Sequence, residues 1–210
     1  MPKADAHSAN IVFFSLAGFG VRPVAEQVQL KETLDAALAA AIAPVPVAER
    51  IVLETREGAA VVLLDGPVSA LDLGSRVRAA APALPLSIGI NHGPVKLTLD
   101  GGHGPVLFGD GLAAGASIAG FAQHGATLVS RSFREALADS APDRAASLLP
   151  AGVITDAAVR SHEVFAPGQK SGAFRRRRLL VFGTLGVAGI LAAGVGARRA
   201  RERALASART

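Results

Sequence analysis

The apolar positions of this chain change period several times between the N-terminus and residue 170. Residues 11–17, Ile-Val-Phe-Phe-Ser-Leu-Ala, form a short apolar run stopped at Gly18, which predicts a first strand. Val24 to Ala43 follows, with Val28, Leu30, Leu34, Ala37, Leu38 and Ile42 at helical spacing and Pro44 and Pro46 closing it. Residues 51–53 and 60–64 are β-rich runs on either side of Glu54 to Ala59, the pattern of a hairpin. Val68 to Ala80 predicts a second helix with Leu71, Leu73 and Val77 inward. Residues 86–90 and 95–99 predict a strand pair. Asp100-Gly101-Gly102 then makes a turn, because an Asp-Gly pair accepts positive φ. A third helix is expected over 112–123, after Gly109-Asp110-Gly111. A strand over 126–129, a short helix over 130–138 and a last strand over 159–165 complete the series, before a linker over 166–173.

The order β-α-β-β-α-β, with further units behind it, predicts an α/β (α+β) sandwich of ferredoxin-like type. Helices are expected on one face of a largely antiparallel sheet. No internal repeat is present. The folded domain is placed at 11–166, behind a disordered stretch at 1–10.

The C-terminal part follows different rules. Residues 179–197 (LLVFGTLGVAGILAAGVGA) are nineteen positions without a charge, Arg175 to Arg178 before them and Arg198, Arg199 and Arg201 after. As a helix they span about 28 Å, close to the thickness of bilayer hydrocarbon. Five glycines argue against a water-exposed helix, where each costs about 1 kcal/mol. They are acceptable in lipid, where a helix must close its own hydrogen bonds in any case. Residues 179–197 are therefore expected to be a single membrane span. A basic linker over 167–178 and a basic tail over 198–210 would lie at lipid headgroups. The start, MPKADAHSAN, has no apolar core of a signal peptide. The expected location is a membrane, with the N-terminal domain cytoplasmic. Arg in preference to Lys, together with abundant Ala, suggests a GC-rich bacterium and hence its inner membrane.

Charge then changes the list of partners. The net charge of +5 comes from the tail: ten of the 22 Lys and Arg, but one of the 17 Asp and Glu, fall in residues 170–210. Residues 1–169 keep 12 basic against 16 acidic side chains, so a basic nucleic-acid face is not expected on the domain. With Trp and Tyr absent and Phe the only aromatic, stacking platforms are poorly supplied as well. With no Cys there are no disulfides, thiolate metal sites or cysteine nucleophiles. His7, His92, His103, His124 and His162 share no metal-ligand spacing and are expected to be solvated or locally bonded. Gly18-Phe19-Gly20 lacks the third glycine of a dinucleotide fingerprint, with Pro at 23, and no phosphate-loop Gly-Lys-Ser/Thr is present. Ser15 is not framed by Gly-x-Ser-x-Gly.

In order and spacing, five segments resemble the catalytic domain of class III adenylate and guanylate cyclases. They are Val12-Phe13-Phe14-Ser15-Leu16-Ala17-Gly18-Phe19, Glu54 to Ala60 with Asp65-Gly66-Pro67, Ser87 to Val95, Phe108 to Leu112, and Phe121 to Ser130. The resemblance implies a ferredoxin-like fold that pairs head to tail with a like domain, as homodimer or heterodimer. It also implies sites at that interface, where two aspartates hold two divalent metals, Mg²⁺ or Mn²⁺. Those metals and an arginine would absorb the charge built up when a ribose hydroxyl attacks the α-phosphate.

The residues depart from that pattern. The first metal aspartate falls on Ser15 and the second on Glu57, the one remaining metal candidate. The base-binding lysine falls on Leu53 or Glu54, and its partner on Val106. The ribose-orienting asparagine falls on Ala113 and the transition-state arginine on Ser117. Backbone N–H groups of Ala17, Gly18 and Phe19 would lie near phosphates. The expectation is a domain without turnover and without a cofactor, a pseudoenzyme that dimerises or regulates at a membrane. Two alternatives stay open: a weak cyclase using Glu57 with Mg²⁺ or Mn²⁺, and a nucleotide sensor.

Overall fold

The computed structural model describes residues 7–100, 104–123 and 125–168. In order, the elements are β1 (His7–Leu16), α1 (Val24–Ile42), β2 (Arg50–Thr55), β3 (Gly58–Leu63), α2 (Pro67–Ala80) and β4 (Leu86–Asp100). Then come β5 (Gly104–Phe108), α3 (Asp110–Phe121), β6 (Thr127–Ser130), α4 (Arg131–Ser140), α5 (Pro142–Ala146), β7 (Leu148–Thr155) and β8 (Ser161–Pro167). The sheet runs β2-β3-β1-β4-β6-β8-β7, and β5 pairs β4 alone. The first four strands of that path, with α1 and α2 as crossovers, are the expected ferredoxin-like unit. All ladders are antiparallel except β4 with β6.

Alternation along β1 divides the interior in two. Val12, Phe14 and Leu16 face one way and join Val61, Leu63, Ile88 and Ile90 under Leu34 and Leu38 of α1, Leu73 and Val77 of α2, and Phe133 and Leu137 of α4. Ile11 and Val62 face the other way, with Leu112 of α3 against them. Ile118 of α3 and Ala122 just after it pack on Leu128 and Val164. Every residue of β3 is buried, as a strand covered on both faces requires.

Several expectations are corrected. Helices cover both faces, because α3 takes the side opposite α1, α2 and α4. Gly89 allows this: a Cβ there would stand 2.4 Å from the Ala119 nitrogen, so α3 can only rest on bare backbone. Residues 7–10 are not disordered but strand, paired from His7↔Val95 to Asn10↔His92. The two strands expected over 86–99 are one strand of 15 residues, whose partner β5 was not foreseen. Nor were α5 and β7. Ala166 and Pro167 belong to β8 rather than to a linker, with Pro167 opposite Leu148.

The remaining boundaries agree to within two residues. Among the described residues, no helix is long and apolar enough to cross a membrane. The candidate span at 179–197 and its basic flanks from residue 169 onward lie outside the described residues.

Candidate functional site

β1 ends where the chain must turn sharply. Gly18 takes the left-handed conformation, φ 68°, and opens a 3-10 turn over Phe19–Val21. Beside it lies the two-residue turn Arg56-Glu57 that joins β2 to β3. Antiparallel pairing sets Ser15 across from Gly58 on one side and Ser87 on the other. The Leu16 N–H donates to the Glu57 carbonyl at 2.7 Å, which ties the turn to the end of β1. The two positions of the expected metal pair, Ser15 and Glu57, are thus neighbours. The Glu57 side chain is exposed and leans over the 3-10 turn, its Oε1 3.6 Å from where a Gly20 Cβ would stand.

Gly58 has no alternative. A Cβ there would fall 1.9 Å from the Phe14 carbonyl oxygen, so Glu57 is the only carboxylate this turn can present. The turn is braced from outside by Lys31 of α1, whose Nζ donates to the carbonyls of Gly58 at 2.8 Å and Thr55 at 3.3 Å. Lys31 was not singled out in the sequence, since a lysine on an amphipathic helix reads as solvated.

The residues present do not fit a pair of divalent ions. A hard cation asks for several oxygen ligands with charge, and these two positions offer one neutral half-buried hydroxyl and one exposed carboxylate. Among the described residues, no three His, Asp or Glu side chains are grouped so as to hold a metal.

The other positions are dispersed. Ala113 is exposed and Ser117 half-buried, one turn apart on α3. Val106 stands opposite Thr98 in the β4–β5 ladder. Leu53 is half-buried against Ile11 and Val62, and Glu54 is exposed. Of the three backbone donors, the Ala17 N–H is spent on the Pro85 carbonyl at 2.8 Å, whereas those of Gly18 and Phe19 have no partner among the described residues.

A second polar centre was missed altogether. Asp156, buried in the β7–β8 turn, accepts from the N–H groups of Ala158 and Arg160, both at 2.9 Å, and from Arg160 Nε at 2.8 Å. His162 Nε2 bonds the same carboxylate at 3.0 Å. His162, the backbone N–H of Arg160 and its guanidinium, in that order, hold the Asp156 carboxyl well below the usual carboxylate range. Arg160 reaches on to Asp110 at the start of α3, at 3.0 Å. The network holds Val159 at φ 60°, a costly conformation for a β-branched residue. Read as sequence, Val159 and Arg160 open the last strand and Asp156 gives no signal of its own.

Near the start of α3, buried Asn91 donates to the Gly111 carbonyl at 2.9 Å and accepts from Ser132 at 3.2 Å. His92 Nδ1 lies 3.0 Å from Asn10 Oδ1. His92 and His162 are therefore locally bonded, as expected of them.

The fold is one shared with nucleotide-cyclase catalytic domains. The chain has that fold, as solved structures show. The guanylate cyclase domain of RhGC from Catenaria anguillulae, in complex with GTP, superposes with a TM-score of 0.61 at 14% identity, over 78% of this chain and 97% of that one. An adenylate/guanylate cyclase/hydrolase from Silicibacter pomeroyi gives 0.59 at 19% identity, over 80% and 100%. A non-canonical dimeric guanylyl cyclase domain of the RhoGC fusion protein from the aquatic fungus Blastocladiella emersonii gives 0.57 at 14% identity, over 79% and 97%. No protein-family model matches the sequence, and no curated protein matches it. Identities this low establish the fold and leave the chemistry to the residues.

Proposed function

We propose that this chain is a catalytically silent cyclase-like domain, tethered to a membrane by residues 179–197 and acting by pairing with a second domain of the same kind. The observation that carries the first part is the Ser15–Glu57 pair. Closing a nucleoside triphosphate into a ring builds negative charge on phosphoryl oxygens, which metals and a cation must absorb. Ser15 brings no charge, Glu57 projects from a turn into solvent, and Ser117 is the residue that the resemblance sets in the place of an arginine. A carboxylate alone cannot make the clamp.

What supports pairing is the fold, found in a non-canonical dimeric domain from Blastocladiella emersonii, although the same domain is also found as a monomer. What supports the tether is the uncharged run between arginine clusters. The domain itself would stay in the cytoplasm, at a bacterial inner membrane.

The test is a cyclase assay on the full chain in detergent, with Mn²⁺ and either ATP or GTP. No cyclic nucleotide is expected. Product that disappears in Glu57→Ala would replace this reading with that of a weak cyclase. A second reading, nucleotide binding without turnover, is favoured by the unpartnered N–H groups of Gly18 and Phe19 at a left-handed turn. Titration calorimetry with ATP and GTP decides it, since a purely pairing domain releases no saturable heat.

A further inference from the structure

β2 and β7 are the outer strands of the sheet path, and their free edges differ. β7 is broken by a bulge between Pro150 and Gly152, with Gly152 at φ 129°, and Pro150 has no N–H to offer. β2 pairs β3 without a register break from Arg50 to Thr55.

One bond shows which main-chain groups of β2 face outwards. The Leu64 N–H donates to the Glu49 carbonyl at 2.9 Å, so Glu49 and Leu64 are a hydrogen-bonded pair. Bonded and unbonded pairs alternate along an antiparallel ladder, so Ile51, Leu53 and Thr55 turn their N–H and C=O groups to β3. Arg50, Val52 and Glu54 turn theirs away. The Arg50 N–H is taken by the Val47 carbonyl. The Arg50 carbonyl and both groups of Val52 and Glu54 have no main-chain partner among the described residues.

The side chains alternate in the same way. Arg50, Val52 and Glu54 line a groove between β2 and α1, with Leu38, Ile42 and Ala59 behind them. Val52 is 48% exposed there. Arg50, whose guanidinium also bonds the Ile42 carbonyl, and Glu54 stand two residues to either side of it with opposite charge. An antiparallel copy of β2 centred on Val52 therefore complements itself. Val52 meets Val52, Arg50 meets Glu54 twice, and Ile51 meets Leu53. The outward groups match too: two bonds join the Val52 residues, and each Glu54 N–H reaches the opposite Arg50 carbonyl. Edge charges of one sign would repel a second copy, whereas this pair attracts it.

We propose that two copies of this chain join edge to edge at β2, antiparallel about a two-fold axis at Val52, into one continuous sheet. The proposal rests on the reading that the domain acts by pairing, and gives that pairing its surface. The Glu57 turns that follow β2 then point to opposite ends of the seam. The two Ser15–Glu57 sites lie apart, unlike those of the head-to-tail pair that the resemblance implies.

The chain contains no Cys, so an introduced cysteine has no background. Across a hydrogen-bonded antiparallel pair the Cα atoms are about 5.5 Å apart, within disulfide range. The full chain in detergent carrying Val52→Cys is expected to become a covalent dimer on mild oxidation, severalfold faster than Leu149→Cys on the other edge. Val52→Pro removes the central N–H, which β3 does not use. It should halve the protein mass found by sedimentation and leave the circular dichroism of the parent. Glu54→Arg sets like charges opposite each other twice and should weaken the dimer about tenfold; adding Arg50→Glu should recover most of that loss. A dimer that Val52→Pro and Glu54→Arg leave intact, with no preference for position 52 in cross-linking, overturns the β2 seam and leaves pairing to another surface. A parent chain that is monomeric at every concentration reached removes self-pairing, and the seam with it.

Discussion

Replacing Gly89 by alanine tests the packing on which the α3 side of the domain depends. A Cβ at that point of β4 would stand 2.4 Å from the Ala119 nitrogen, 2.5 Å from the Gly115 oxygen and 2.9 Å from the Ala119 Cα. All three belong to the helix backbone, so no rotamer change can relieve them. Ordinary contact begins at 3.4 Å, and the difference is a forced retreat of α3 by about 1 Å. Overpacking of this kind costs about 1–3 kcal/mol, and the rigidity of both partners places Gly89→Ala at the upper end. For a domain of this size that lowers Tm by roughly 4–10 °C. Gly74→Ala in α2 is the internal control. Its Cβ would meet Ile88 Cγ2 and Ile90 Cδ1 at 3.6 Å, an ordinary contact, and replaces a helix glycine. It should stabilise by about 0.5–1 kcal/mol. Without Trp or Tyr, unfolding of the full chain in detergent is followed by circular dichroism in urea, with the slope compared between variants. A Gly89→Ala protein as stable as the parent would refute the seating of α3 on β4, and with it the positions given to Ala113 and Ser117.

Other outcomes follow from the same structure. Lys31→Met removes the ammonium that holds the Gly58 and Thr55 carbonyls; it should cost about 1.5 kcal/mol in the same urea experiment. An unchanged midpoint would show the turn to be self-supporting. Asp156 has a carboxyl whose native value is depressed below 3.8, so its contribution is complete above that pH and is lost as pH falls from there towards the native value. The stability gap between the parent and Asp156→Asn should therefore close as pH falls below about 4; a gap that stays unchanged through that acid range would refute the role of the charge. Ser15→Asp places a second carboxylate next to the Glu57 turn, so Mn²⁺ should raise its Tm and leave the parent unmoved. Saturation a hundredfold above Kd would stabilise by about 2.7 kcal/mol. An equal shift in both proteins would show that position 15 is not what excludes the metal.

Periodicity and turn chemistry determined much of this protein without any coordinates. The β-α-β-β-α-β series, the breaks at Gly18 and Pro44, the hairpin over Glu54 to Ala59, and the segments resembling cyclases are local features, carried by residues next to one another in the chain. The fold and the adjacency of Ser15 and Glu57 could be expected from them. The uncharged run of residues 179–197 is likewise a local feature, and its reading as a membrane span falls outside the described residues.

The tertiary structure decided what depends on residues far apart. Leu86 to Ile90 and Val95 to Leu99 read as two strands because Asn91, His92, Gly93 and Pro94 interrupt the apolar pattern. Pairing with β1 carries the strand through them, and Asn91 is paid for by its bond to Gly111. The burial of Gly89 under α3 looks, in sequence, like any glycine in a strand. Asp156 became a centre only when Arg160, His162 and Asp110 converged on its turn, since a carboxylate in a loop is indistinguishable from a solvated one until its partners are placed. The place of β2 at the edge follows from the ladders alone: the order of strands in a sheet is set by long-range hydrogen bonds, which no local pattern of residues encodes.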